Sequence, residues 1–181
     1  MIAIDIIKII YYNLKREKIN KVELLQKLEE GKIKPNSLIQ VDGYSYTVEE
    51  IGKYVLGDST WFNLTCCSAG FPKEYIIVEI AEKVRIWEKV EFSKKLTTEI
   101  EKIRYKKKTY KCIEKSNAIF IFKTEIEPDE EEEGNVLYSI LVTDPDDIND
   151  QGHMLSIEEI DGKVTTYHSN KTIPFHSIHI E

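Results

Sequence analysis

Cysteine is scarce in this chain: Cys66, Cys67 and Cys112 are the only three in 181 residues, an odd number with two adjacent. That is a poor disulfide framework, and a reduced, cytoplasmic compartment is expected. Long apolar runs are missing as well. None approaches the roughly 20 residues that a membrane-spanning helix needs, so membrane insertion is not expected. Met1 to Lys8 carries charge inside its apolar stretch and has neither the basic region nor the small-residue cleavage site of an export signal. Positive charge is in deficit. With 32 acidic against 25 basic side chains, net −7, no global field recruits nucleic acid or an anionic lipid surface.

Catalytic signatures are also lacking. There is no G-x-S-x-G elbow, no G-x-x-x-x-G-K-[ST] phosphate loop, no G-x-G-x-x-G and no H-E-x-x-H. The reading is a non-enzymatic protein without cofactor. All four histidines, His153, His168, His176 and His179, crowd the C-terminal end, which invites a zinc hypothesis. His176 and His179, however, are three apart on a segment that reads as a strand, where they point to opposite faces. No metal site is expected. One spacing imitates a calcium loop: Asp147-Ile148-Asn149-Asp150-Gln151-Gly152, with Glu158 at the twelfth position. Its flanks read as strands rather than the two helices such a loop needs. Asp147 to Gly152 is therefore expected as an acidic loop, with Glu158 at an outward strand position.

What the chain does contain is a short helical part followed by a long β part. Ile2, Ile6, Ile7, Ile9, Ile10 and Leu14 fall mostly at helical spacings and predict a helix over residues 2 to 18. A second helix is expected over 21 to 30, with Asn20 as N-cap, Leu24, Leu25 and Leu28 as its stripe and Gly31 as terminator. Both would form a hairpin over residues 1–34 that packs on the rest. From Ser37 onward, short runs rich in Ile, Val, Tyr, Thr and Phe alternate with turn signals. Strands are expected at 38–41, 44–51, 60–66, 75–80, 83–92, 100–106, 109–114, 117–126, 136–143, 154–160, 163–168 and 173–180. Asp42-Gly43 and Asp161-Gly162 are hairpin dipeptides, so the pairing should be antiparallel.

A faint echo runs through the β part. Ile39-x-Val41 leading to Tyr46-x-Val48 is matched by Ile103-x-Tyr105 leading to Tyr110-x-Cys112, at a constant offset of 64. Two similar units, 35–93 and 97–181, are one expectation for residues 35–181; one continuous β body is the other. The fold class is α+β, mainly antiparallel, either a sandwich or a partly open barrel.

Candidate binding residues come from two features. Sixteen Tyr and Phe with Trp61 and Trp87 suit the interior of a β protein. If the strands close around a cavity, Trp61 and Tyr138 are candidates to line it. Charge is also segregated, with nine basic and three acidic residues in 94–115 and fourteen acidic residues without Lys or Arg in 125–161. The run Asp129, Glu130, Glu131, Glu132 and Glu133 is expected as a solvated tip and is the candidate dock for a cationic partner. Lys106, Lys107 and Lys108 are expected in a turn or guarding a strand edge.

Three stretches carry a resemblance: Val41-Asp42-Gly43 with Tyr46 and Val48, the strand Trp61-x-x-Leu64, and Leu155-Ser156-Ile157-Glu158 followed by a hairpin and a closing strand over 173–180. Together they resemble DUF4178, a family of small bacterial β-rich proteins, over roughly residues 37 to 181. The resemblance implies a cytoplasmic, non-enzymatic protein, an interaction or adaptor module linked to envelope stress. Two further readings stand beside it. One is a small-ligand-binding β-barrel carrier; the other is an acidic immunity-type inhibitor of a basic toxin.

Overall fold

The computed structural model of the chain describes residues 20–70, 72–124, 132–143 and 153–180. Among these there is one α-helix, α1 (Lys21–Glu29), rather than two. The other expected helix, over 2 to 18, lies outside the described residues. The Asn20 side chain accepts the Glu23 amide at 3.0 Å and caps α1 as expected. Leu24 and Leu28, one turn apart, are the buried stripe. Lys53 Nζ on β2 reaches Glu29 at 2.9 Å and Lys21 reaches Glu82, in the turn between β4 and β5, at 2.7 Å, which ties α1 to the β body at two points.

Eleven strands follow: β1 (Leu38–Val41), β2 (Tyr44–Leu56), β3 (Ser59–Ser68), β4 (Tyr75–Ile80), β5 (Val84–Lys89), β6 (Lys102–Tyr105), β7 (Lys108–Thr124), β8 (Glu132–Val142), β9 (Met154–Ile160), β10 (Lys163–Ile173) and β11 (Ile178–Ile180). All pairings are antiparallel, and β2 pairs with β3 on one side and β7 on the other. The order β2-β3-β4-β5-β10-β9-β8-β7 therefore returns to β2, bending the sheet into an eight-stranded ring, with β1, β11 and β6 as extensions. Where the sequence suggested two strands over 109–114 and 117–126, the chain makes one. A β-bulge between Cys112 and Glu114 lets β7 bend instead of stopping. The expected strand over 173–180 is likewise interrupted by a turn of 3₁₀ helix, Phe175–Ser177, after Pro174.

Two five-stranded successions, β1 to β5 and β6 to β10, make up the sheet apart from β11, and each gives four strands to the ring. Leu38, the start of β1, and Lys102, the start of β6, are 64 positions apart, as are Tyr44 and Lys108 at the starts of β2 and β7. The bulge in β2, between Val48 and Glu50, recurs in β7 at the same offset. The hairpin turns obey local chemistry. Asp42-Gly43 and Asp161-Gly162 have positive φ at both positions, and so do Lys106 and Lys107, which turn β6 into β7.

Most of the apolar core lies outside the ring. On one flank Leu24, Leu28 and Ile33 cover the outer face of β1 to β5, where Val48, Ile51, Phe62, Leu64, Val78 and Ile80 are buried. On the opposite flank the segment 90–101 crosses Tyr110, Leu141, Leu155 and Ile157, contributing Leu96. That strap is pinned by the Ser139 hydroxyl donating to the Thr98 carbonyl and by Lys115 bridging Glu99 and Glu101.

Candidate functional site

With the large aliphatic side chains turned outward, alternation sends the other set into the ring. Paired positions stack there. Tyr54 of β2 lies opposite Trp61 of β3 across the Gly57-Asp58 turn, and their rings stack at 5.2 Å and 14°. Trp61 meets Tyr138 of β8 edge-on at 6.0 Å. Phe120 of β7 packs on Tyr54 at 5.2 Å. Gly52, two residues before Tyr54, leaves the space these rings use: a Cβ there would stand 3.2 Å from Tyr54 and 3.3 Å from Phe120.

Above these rings the interior opens into a cavity of about 280 Å³. Its walls come from seven strands. Tyr54, Trp61, Trp87, Ile113, Tyr138, Ile140 and Met154 supply the apolar and aromatic lining, and Glu79, Glu114, Ser156 and Glu158 the polar part. Ile113, beside the β7 bulge, is 57% exposed and marks the mouth. The volume suits a small ligand, at the lower end of the range for such sites.

The carboxylates are individually held. Trp87 Nε1 donates to Glu79 at 3.2 Å, the Tyr138 hydroxyl to Glu114 at 2.6 Å, and the Ser156 hydroxyl to Glu158 at 3.2 Å. Tyr54 also approaches Glu158, at 3.5 Å. Burial raises the Glu79 carboxyl above its ordinary range, against the opposing pull of Arg85 and Trp87. Glu158 as a residue is half-buried, but its carboxylate stands inside the ring. Burial, aided by the charge of Glu79 and opposed by Ser156 and Tyr54, raises it to about 7. Burial also pushes up the Tyr54 and Tyr138 phenols.

Both lining candidates from the sequence, Trp61 and Tyr138, face this cavity. Tyr54, Glu79, Trp87, Glu114 and Glu158 were not anticipated there. Glu158 corrects an expectation outright: the strand face assumed to meet solvent faces the ring interior. At Glu79 the available signal was a lone carboxylate in an apolar strand, Tyr75-Ile76-Ile77-Val78-Glu79-Ile80; Glu158, followed by Glu159, carried no such signal.

The acidic candidates are not brought to this site. Asp129, Glu130, Glu131 and the side chain of Glu132 lie outside the described residues, and Glu133 is exposed on β8. The calcium-like loop, Asp147 to Gly152, is also outside them. His153 and His168 do meet, at 5.7 Å between rings, beside Tyr105. Among the described residues no group of three or more His, Cys, Asp or Glu is arranged to hold a metal ion.

Fold and site together define a ring-forming antiparallel β protein with an acidic, aromatic-walled interior. The chain belongs to the family described as "Domain of unknown function (DUF4178)", whose model matches residues 34–174. That span takes in both five-stranded successions and leaves α1 outside. No curated protein and no solved structure matches the chain.

Proposed function

We propose that this protein is a non-enzymatic, small-ligand-binding β-barrel, a carrier or sensor whose site is the cavity inside the ring. The observation that carries this reading is the convergence of Tyr54, Trp61, Trp87 and Tyr138 on one open cavity of about 280 Å³. A ring built only for stability would close its interior with aliphatic side chains, as small barrels do. Here that role falls to the two outer flanks, and the interior is left free for a guest. Holding fits the lining better than chemistry does. The Ser156 hydroxyl and the Glu158 carboxylate are engaged with each other, and the strand amides around them are committed to the ladder.

The unbridged Cys66, Cys67 and Cys112 support placing the protein in a reducing cytoplasm. Among the described residues no helix is long and apolar enough to cross a membrane.

Both tryptophans of the chain line the cavity, so their emission reports on occupancy. Native mass spectrometry of the purified protein, paired with a tryptophan-emission screen of small metabolites, tests the proposal. A guest that adds mass under native conditions and shifts emission is expected, with both effects weakened in Trp61→Leu. Binding that persists unchanged in Trp61→Leu and Tyr138→Leu would move the site elsewhere and overturn the reading.

A further inference from the structure

The charge of the cavity narrows its guest. Its lining includes three carboxylates, Glu79, Glu114 and Glu158, and among the described residues no Lys, Arg or His lines it. Arg85 is the basic group set against Glu79, its guanidinium 5.7 Å from the Trp87 ring. It offsets one carboxylate; Glu114 is exposed at the mouth, which leaves Glu158 as the enclosed one. Above about pH 7, where Glu158 is ionised, an anionic guest would meet repulsion and a neutral one would leave that enclosed charge without a counterion. Aromatic faces in the same wall favour a cation that carries its charge on carbon-rich groups, since ring quadrupoles attract cations and rings also cover methyl surface. A hydrated metal ion lacks that match to the rings.

Resting on the binding reading above, we propose that the cavity takes a small organic ammonium cation, caged by Tyr54, Trp61 and Tyr138 with Glu158 as counterion. Glu158 stands on β9, paired with Tyr138 on β8 and Thr165 on β10. The ionisable groups facing it are Tyr54 from β2, Glu79 from β4, Tyr138 from β8 and Tyr167 from β10. None of these brings positive charge, so the guest would supply it.

Titrations of the full chain at pH 8 with tetramethylammonium, choline and butylammonium, read by calorimetry and tryptophan emission, test this. Choline is compared with its uncharged isostere 3,3-dimethylbutan-1-ol. At least one cation should bind with a Kd below about 10 mM, and choline should exceed its isostere roughly ten-fold. Glu158→Gln, near-isosteric and able to accept from Ser156, should remove most of that preference; Glu79→Gln is the second variant should the first fold poorly. Equal affinity for the charged and uncharged partners, a preference unchanged in both variants, or no saturation by any of the three cations would overturn the proposal. A neutral or anionic guest found by native mass spectrometry would overturn it too while leaving the binding reading standing.

Discussion

The outside and the inside of the ring are built from different chemistry. Outside, Val48, Ile51, Leu64, Val78 and Ile80 meet Leu24 and Leu28 in an aliphatic layer. Inside, the neighbouring positions on the same strands are Glu50, Tyr54, Asn63 and Glu79. Burial raises the carboxyls of Glu50 and Glu79 alike. The difference separates two tasks usually shared by one core. The outer flanks supply the apolar area that drives folding, which frees the interior to hold charge and aromatic surface at some cost in stability. A site of this kind requires that the second face of the sheet be covered by something else, here α1 and the strap over 90–101.

This division can be broken at its strongest point. Leu64 is 1% exposed within the helix-side layer. Leu64→Ala should cost about 3 to 4 kcal/mol, measured by urea unfolding, and should leave cation preference unchanged in the protein that remains folded. Loss of preference without loss of stability would show that the two faces do not act separately.

A smaller effect concerns pH. The Glu158 carboxyl rises from 4.5 to about 7 in the folded chain. Between those values the folded state binds more protons than the unfolded state, so stability falls as pH rises. The advantage is full below about 4.5 and is lost as pH climbs through 7. With Glu158 half-buried as a residue, solvent screening reduces the loss to about 1 to 2 kcal/mol between pH 5 and 8. Thermal unfolding across that range should show the decline in the wild type and a flatter profile in Glu158→Gln, though Glu50 and Glu79 titrate in the same sense. A bound cation should reverse the trend at pH 8.

The smallest change sharpens the comparison from a site remote from both faces. Lys106 and Lys107 hold φ of 46° and 67° in the β6–β7 turn. Replacing them with Asn-Gly should add about 1 kcal/mol, with no change in cavity emission. A shift in emission would mean that the turn is coupled to the mouth.

Much of this was legible locally. Asp42-Gly43 and Asp161-Gly162 announced their hairpins because left-handed turn geometry is set by the residues themselves. Asn20 announced the start of α1 for a similar reason. Closure of the ring was not legible, because the register of β2 on β7, Glu50 with Thr124 through Val55 with Ile119, joins residues far apart in sequence. Glu158 was misplaced on the same account. Alternation put Ser156 and Glu158 opposite Leu155 and Ile157, but only closure decides that the polar side is also an interior. Trp61 and Tyr138 were nominated as aromatics that would line a cavity if the strands closed; the carboxylates completing their site came from strands whose neighbours the chain order conceals.

The offset of 64 has one more consequence. Val55 and Ile119 pair with each other across the closure and are themselves 64 positions apart, so the two successions meet about an approximate two-fold axis. A single five-stranded unit would leave the edges of β2 and β5 bare. Two identical copies would satisfy both edges at once, since β2–β7 and β5–β10 are each antiparallel. The ring thus has the architecture of a homodimer joined into one polypeptide. Once joined, equivalent positions are no longer bound to be identical: Glu50 and Glu114 keep the same carboxylate, whereas the position that is Tyr54 in one half is Ala118 in the other. A symmetric dimer would have to place two tyrosines there, and asymmetry at this pair is what a fused chain makes available to a guest that is not itself symmetric.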